Sequence, residues 1–175
     1  MMSESTNQGR RRGFTLAELM VVVSVISLTA LVLIPAGGDE HGAAMRSAAE
    51  LLAADIEDTQ ARMLADPLDP TCLFVNEAGD GWHLARTSAP LAPILGRDGM
   101  PRSRRFGEGA LAHAESLTLS VPLLPDDVLS FDDQGAPIQH EGELEFTLNA
   151  PESDTRLSVL ISASTGRVSI LFERP

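Results

Sequence analysis

The order of apolar and polar positions divides the chain into an uncharged N-terminal stretch, an amphipathic stretch and a region of short alternating runs. Residues 14–34 form a run of 21 residues that carries a single charge, on Glu18. A helix of that length spans roughly 32 Å, which is enough to cross the hydrocarbon core of a bilayer. We therefore predict one transmembrane helix over 14–34.

The second stretch predicts a break followed by an amphipathic helix over residues 35–66. A proline and two glycines within residues 35–38 disfavour an uninterrupted helix. Beyond them, apolar positions recur at alternating steps of four and three, which places them on one helix face. These positions are Met45, Ala49, Leu52, Ile56, Thr59 and Met63. We expect this face to pack on a sheet, while Asp58 and Arg62 pair on the opposite, solvated face.

The third region, residues 67–175, predicts a domain built mostly from antiparallel strands. Short runs rich in β-branched and aromatic residues are separated by Gly, Pro, Asn and Asp, which is typical of strands and turns. The runs lie at 71–76, 81–87, 115–121, 128–132, 142–149, 156–163 and 166–173. Gly166 is expected to supply a positive φ in a hairpin between the last two. The fold class is therefore α+β, with a long bent N-terminal helix packed on a C-terminal sheet.

Residues 88–110 hold three prolines and four glycines without a sustained period, so they predict a long loop. Arg97, Arg102, Arg104 and Arg105 make this loop the one basic patch of residues 67–175. The patch could contact an acidic neighbouring subunit or nucleic acid. The alternative, which we favour, is a solvated mobile loop that folding does not require.

The net charge argues against nucleic acid as a partner. The chain carries 13 basic and 25 acidic residues, a formal charge of -12. Without residues 1–13, which contain three Arg and Glu4, the balance becomes 10 minus 24, or -14. Phosphate contacts dominate non-specific binding to duplex DNA, so such a surface disfavours it.

Nothing in the sequence predicts a metal site, a cofactor or an enzyme. Cys72 is the only cysteine and is expected in a buried strand, where no intramolecular disulfide can form. No metal-ligand spacing relates the histidines, which are His41, His83, His113 and His140. The paired aspartates at 126–127 and 132–133 could bind calcium, but Asp132 to Gly135 is better explained as a turn. No nucleophile elbow or phosphate-binding loop is present.

The N-terminal stretch also resembles a known leader. Three arginines and Gly13 are followed by Phe14, Thr, Leu, Ala, Glu18 and Leu, and then by the uncharged run. This order is similar to the class III leader of type IV prepilins and type II secretion pseudopilins. The resemblance implies that a prepilin peptidase cuts between Gly13 and Phe14, that Phe14 is then N-methylated, and that Glu18 acts in assembly.

The resemblance further implies a filament subunit held in the bacterial inner membrane, with its C-terminal domain in the periplasm. Its expected partners are membrane lipid, the peptidase, the inner-membrane assembly platform and other pilins or pseudopilins. A second resemblance, to the H-type minor pseudopilins and related minor pilins, is carried by short segments of the soluble region. They are residues 58–65, Gly81-Trp82, residues 129–135 and residues 164–168.

Three other interpretations remain open. Residues 35–37, Pro-Ala-Gly, could end an ordinary secretory signal that is cleaved, although Glu18 inside the apolar run argues against it. The chain could instead be a membrane-anchored periplasmic binding module that keeps residues 1–13. A minor pilin for DNA uptake would share the leader and differ in surface charge.

Overall fold

The structure, a computed structural model, describes residues 16–33, 40–121, 124–138, 142–151 and 156–173. The chain divides into two compact units, Met1–Gly38 and Asp39–Pro175. The first contains helix α1, Leu16–Leu33, and the second begins with helix α2, Glu40–Ala65. The second unit continues with β1 Thr71–Val75, β2 Gly81–Arg86, β3 Ala89–Pro93, β4 Ser103–Arg105, β5 Thr118–Ser120, β6 Val128–Ser130, β7 Leu144–Asn149, β8 Arg156–Ile161 and β9 Val168–Glu173. The α+β class is confirmed.

Helix α1 corresponds to the predicted apolar helix. In the part of the chain that the structure describes, no helix is both apolar and long enough to cross a bilayer. The predicted cleavage residues Gly13 and Phe14 lie outside the described residues, as do the predicted break at residues 35–38 and His140.

Helix α2 has the predicted apolar face. Met45, Ala49, Leu52, Ile56 and Thr59 are buried, and Met63 at the end of the row is partly buried against the core. The helix packs on strands from both sheets of the unit, namely β1, β7, β8 and β9. The 3.6-residue period therefore located the side of the helix that contacts the sheets.

The strands form two antiparallel sheets. The first has the order β3-β2-β1-β6, with β4 also paired to β2, and the second has the order β5-β7-β8-β9. All seven predicted strands are present. Cys72 on β1 is fully buried, as expected, and Trp82 on the neighbouring strand β2 is fully buried as well.

The loop prediction for residues 88–110 was wrong. This segment forms strands β3 and β4, a bridge between Leu95 and Pro101, and the start of a short 3₁₀ helix, Gly109–Ala114. Both strands pair with the same edge of β2. β4 can approach closely because Gly81 has no side chain to collide with the backbone carbonyl of Arg104. We call residues 89–105 the arginine hairpin.

Two turns are fixed to helix α2 by one side chain. The Gln60 amide donates hydrogen bonds to the carbonyls of Gly135 (2.8 Å) and Gly166 (2.7 Å). Gly166 has φ 63° in the turn between β8 and β9, as predicted. Asp132 closes the other turn by accepting backbone N–H groups from Gln134 (2.9 Å) and Ala136 (2.8 Å), so the turn interpretation accounts for this aspartate.

Candidate functional site

The first candidate site is the exposed surface of helix α1. Every side chain described from Leu16 to Ile26 is exposed, including large apolar ones on all sides of the helix. The Ser24 hydroxyl donates to the backbone carbonyl of Met20 at 2.8 Å, so this polar group is satisfied within the helix. A helix that is apolar all round is normally covered by lipid or by other helices.

Glu18 is the one acidic residue in the first turn of this helix. A carboxylate there is favoured by the positive end of the helix dipole, but among apolar neighbours it also carries a desolvation cost once the helix is covered. Helix α1 therefore carries one negative charge near the N-terminal end of its apolar surface, close in sequence to the predicted cleavage point.

The second candidate site is the arginine hairpin, and two of its four arginines, Arg102 and Arg104, reach carboxylates of helix α2. Arg104 Nε donates to Asp55 Oδ2 on helix α2 at 3.2 Å. The same carboxylate oxygen accepts the indole N–H of Trp82 at 2.9 Å. Asp55 and Trp82 are both buried, so the hairpin and β2 are joined to the helix through a shielded polar cluster.

Arg102 forms a second link between the arginine hairpin and helix α2, one helical turn after Asp55. Its guanidinium donates to Asp58 Oδ2, which also accepts Arg62 Nε at 3.1 Å. Burial raises the pKa of Asp58, but the hydrogen bonds from Arg102 and Arg62 outweigh it and bring the pKa below its usual value. The predicted Asp58–Arg62 pair is confirmed, although it belongs to a partly buried cluster and not to a fully solvated face.

Arg105 pairs with Asp80, the residue directly before β2. Its Nε lies 2.8 Å from Asp80 Oδ2, and Asn76 donates to Asp80 Oδ1 at 2.8 Å. The Asn76 hydrogen bond and the Arg105 pair together lower the pKa of Asp80. Arg97 is different: it is exposed at the hairpin tip, and no ion pair holds it within the described residues.

The sequence analysis identified the arginines and missed their partners. Asp55 and Asp58 are three residues apart on α2, and that spacing was the available signal for a pair of acceptors on one helix side. The spacing does not show that the arginine hairpin, some 45 residues later, folds back onto these two aspartates. The structure therefore brings together three of the four arginines with carboxylates of the same unit.

Comparison with known proteins bears on the N-terminal segment alone. The family model described as the prokaryotic N-terminal methylation motif matches residues 8–34. No curated protein and no solved structure matches the chain. The matched segment contains Gly13, Phe14 and Glu18 in the positions on which the leader resemblance was based. The chain thus carries a type IV prepilin-like leader, which supports a pilin-like or pseudopilin subunit in general.

Proposed function

We propose that the chain is a minor subunit of a type II secretion or type IV pilus filament, in the position of the H-type pseudopilins. It acts by assembly and not by catalysis. Before assembly, residues 14–34 anchor it in the inner membrane and the second unit lies in the periplasm. Prepilin peptidase cuts between Gly13 and Phe14, Phe14 is methylated, and the assembly platform transfers the subunit into the filament.

The observation that carries this proposal is the methylation motif at residues 8–34. It is supported by the exposed apolar surface of α1, which needs a cover that lipid can give before assembly and neighbouring helices can give afterwards. The compact unit after Asp39 supplies a folded body that such a helix would carry on the outside of a filament.

Glu18 has a defined part in this proposal. Cleavage after Gly13 creates a positively charged amine on Phe14, four residues away along the chain. In the low dielectric of a helix bundle, this amine and the Glu18 carboxylate attract each other far more strongly than in water. The pair can form within one subunit or between neighbours, and it offsets the cost of placing the carboxylate among apolar helices.

The paired arginines favour a secretion or pilus role over DNA uptake. Arg102, Arg104 and Arg105 are bound to carboxylates of the same unit, so their charges are largely neutralised locally. The overall charge of -12 repels phosphate in addition.

Substitution of Glu18 tests the proposal. Removing one member of a buried ion pair typically costs about 3–5 kcal/mol, because the remaining charge is uncompensated. Glu18→Ala and Glu18→Gln should still be cut after Gly13 but should be lost from sheared filaments or from co-purified neighbouring subunits. Ser24→Ala is the matched control, since that hydroxyl donates to a carbonyl of its own helix, and it should be incorporated normally. Normal incorporation of Glu18→Ala would refute the proposed role.

A further inference from the structure

Strand β9 forms an open edge of the second sheet. It pairs with β8 along its whole length, from Val168 opposite Ile161 to Glu173 opposite Arg156. No strand in the described part of the chain pairs with its other side. Two large apolar side chains of this strand are about half exposed, Leu171 at 46% and Phe172 at 48%. A long apolar edge of this kind is a template for a further strand.

The other sheet edges carry protective features that β9 lacks. β4, β5 and β6 have three residues each, and β3 contains Pro90 and Pro93. β9 has six residues, an uninterrupted register with β8, and neither proline nor charge between Val168 and Phe172. Short strands, prolines and charges are the usual means of blocking edge pairing, so β9 is the edge best suited to accept a strand.

The backbone groups available on this edge can be identified. The Ser162 N–H donates to the Arg167 carbonyl at 3.0 Å, so the carbonyl of Arg167 faces β8 and sets the alternation of the ladder. Antiparallel ladders alternate, so the N–H and C=O groups of Val168, Ile170 and Phe172 point away from β8. These three residues therefore provide the free donors and acceptors of the edge.

From this arrangement we propose that β9 pairs antiparallel with β9 of a second copy of the chain, centred on Ile170. In this register Val168 stands opposite Phe172, and the residues with free backbone groups pair only with one another. About six inter-chain hydrogen bonds result from the alternation of the ladder. Such a contact is two-fold symmetric, so Ile170 faces its own copy on the axis and every other residue pair occurs twice.

Charge is the reason for choosing a second copy over a foreign strand. In the same register Arg167, which is exposed, stands opposite Glu173 of the other copy, at both ends of the paired segment. Opposite charges on facing positions stabilise antiparallel pairs, and like charges destabilise them. The sequence of the strand is thus complementary to itself in both its polar ends and its apolar centre.

The side chains on the helix side of the sheet are consistent with pairing. Arg46 of α2 lies over the Phe172 ring at 4.8 Å, which places Phe172 on the face covered by the helix. Val168 and Ile170 are partly buried on the same face. A second copy would extend this face and cover the exposed part of Phe172 with Val168 of the partner strand.

Disulfide trapping tests the register. In full-length chain purified in neutral detergent, with Cys72→Ala as background, Ser169→Cys and Leu171→Cys are made in separately tagged copies and mixed under mild oxidation. These positions stand opposite each other and should form mixed disulfides. Ser169→Cys alone is the register control and should remain largely unlinked. Failure of the mixed pair to cross-link, or equal cross-linking in the control, would overturn the proposal.

Charge exchange tests the choice of partner. Arg167→Glu should lower the mixed disulfide yield roughly two- to tenfold, since attraction becomes repulsion at both ends. Adding Glu173→Arg in the same chain should restore the yield. An unfolding curve followed by Trp82 fluorescence verifies that each variant is folded. If the single exchange has no effect, or the double exchange does not restore pairing, self-complementary pairing is refuted. These results do not depend on cleavage at Gly13, so they are separable from the proposed function.

Discussion

Asp55 connects helix α2 to strands β2 and β4 of the second unit. Its carboxylate receives the indole N–H of Trp82 from β2 and the guanidinium of Arg104 from β4, while its backbone belongs to α2. The side chain is 8% exposed, so solvent can replace neither partner fully. Loss of the carboxylate would leave a buried donor and a partly buried charge without an acceptor.

We predict that Asp55→Ala lowers the free energy of unfolding by about 1.5–3 kcal/mol, the range for hydrogen bonds to charged groups. Fluorescence during denaturant unfolding can measure this, because Trp82 is the only tryptophan and lies in the core. Glu57→Ala is the control on the same helix. Glu57 is exposed, and its loss should change stability by less than about 0.5 kcal/mol. Equal effects of the two substitutions would contradict the structural role of Asp55.

The acid sensitivity of the fold should depend on Asp58. Burial raises its pKa, while hydrogen bonds from Arg102 and Arg62 lower it by more, so the folded-state pKa is below the unfolded one. The stabilisation is therefore complete above the unfolded pKa, near 4, and is lost as the pH falls through the folded value.

Asp58→Asn should consequently show a smaller loss of stability than the parent chain between about pH 5 and pH 2. The denaturation midpoint of each protein is measured across this range, and the slopes of midpoint against pH are compared. Identical slopes would mean that the Asp58 cluster does not contribute to acid unfolding.

At the scale of elements, the arginine hairpin is a packed part of the domain. Its backbone pairs with β2, and Arg102 and Arg104 reach across to carboxylates on α2. The sequence-based expectation that folding does not require this segment conflicts with these contacts. Arg97 at the tip is the position where that expectation still applies.

We predict that Arg102→Ser combined with Arg104→Ser lowers the free energy of unfolding by roughly 1–3 kcal/mol, a range reduced because both side chains are about one-third exposed. Arg97→Ser is the matched control and should leave stability within about 0.5 kcal/mol of the parent. The measurement is again the midpoint of Trp82 fluorescence. A double variant as stable as the control would show that the hairpin is not held by its arginines.

The difference between predicted and observed elements has a physical origin. The local sequence predicts α2, since Met45, Leu52 and Ile56 repeat with the helix period. It also predicts β7, whose buried and less buried residues alternate. The arginine hairpin has no such period; its strands exist because β2 offers an edge and α2 offers carboxylates. These are long-range contacts that a local pattern does not encode.

At the scale of the whole molecule, the chain joins an apolar N-terminal helix to a separate folded unit. The leader could be recognised from sequence because peptidase recognition depends on a short contiguous segment, and the methylation motif covers that segment. The β9 edge could not be identified in this way, because its exposure depends on the order of strands in the sheet. The leader supports the proposed filament function, and the β9 edge supports the separate proposal of pairing between copies.

Intact-mass analysis of the protein extracted from membranes of cells that contain prepilin peptidase tests the central claim most directly. The chain should begin at Phe14 and carry one additional methyl group, and a Gly13→Leu variant, whose larger side chain should block cleavage, should retain residues 1–13. A parent chain that keeps its first 13 residues, or that begins near Gly37, would contradict the account.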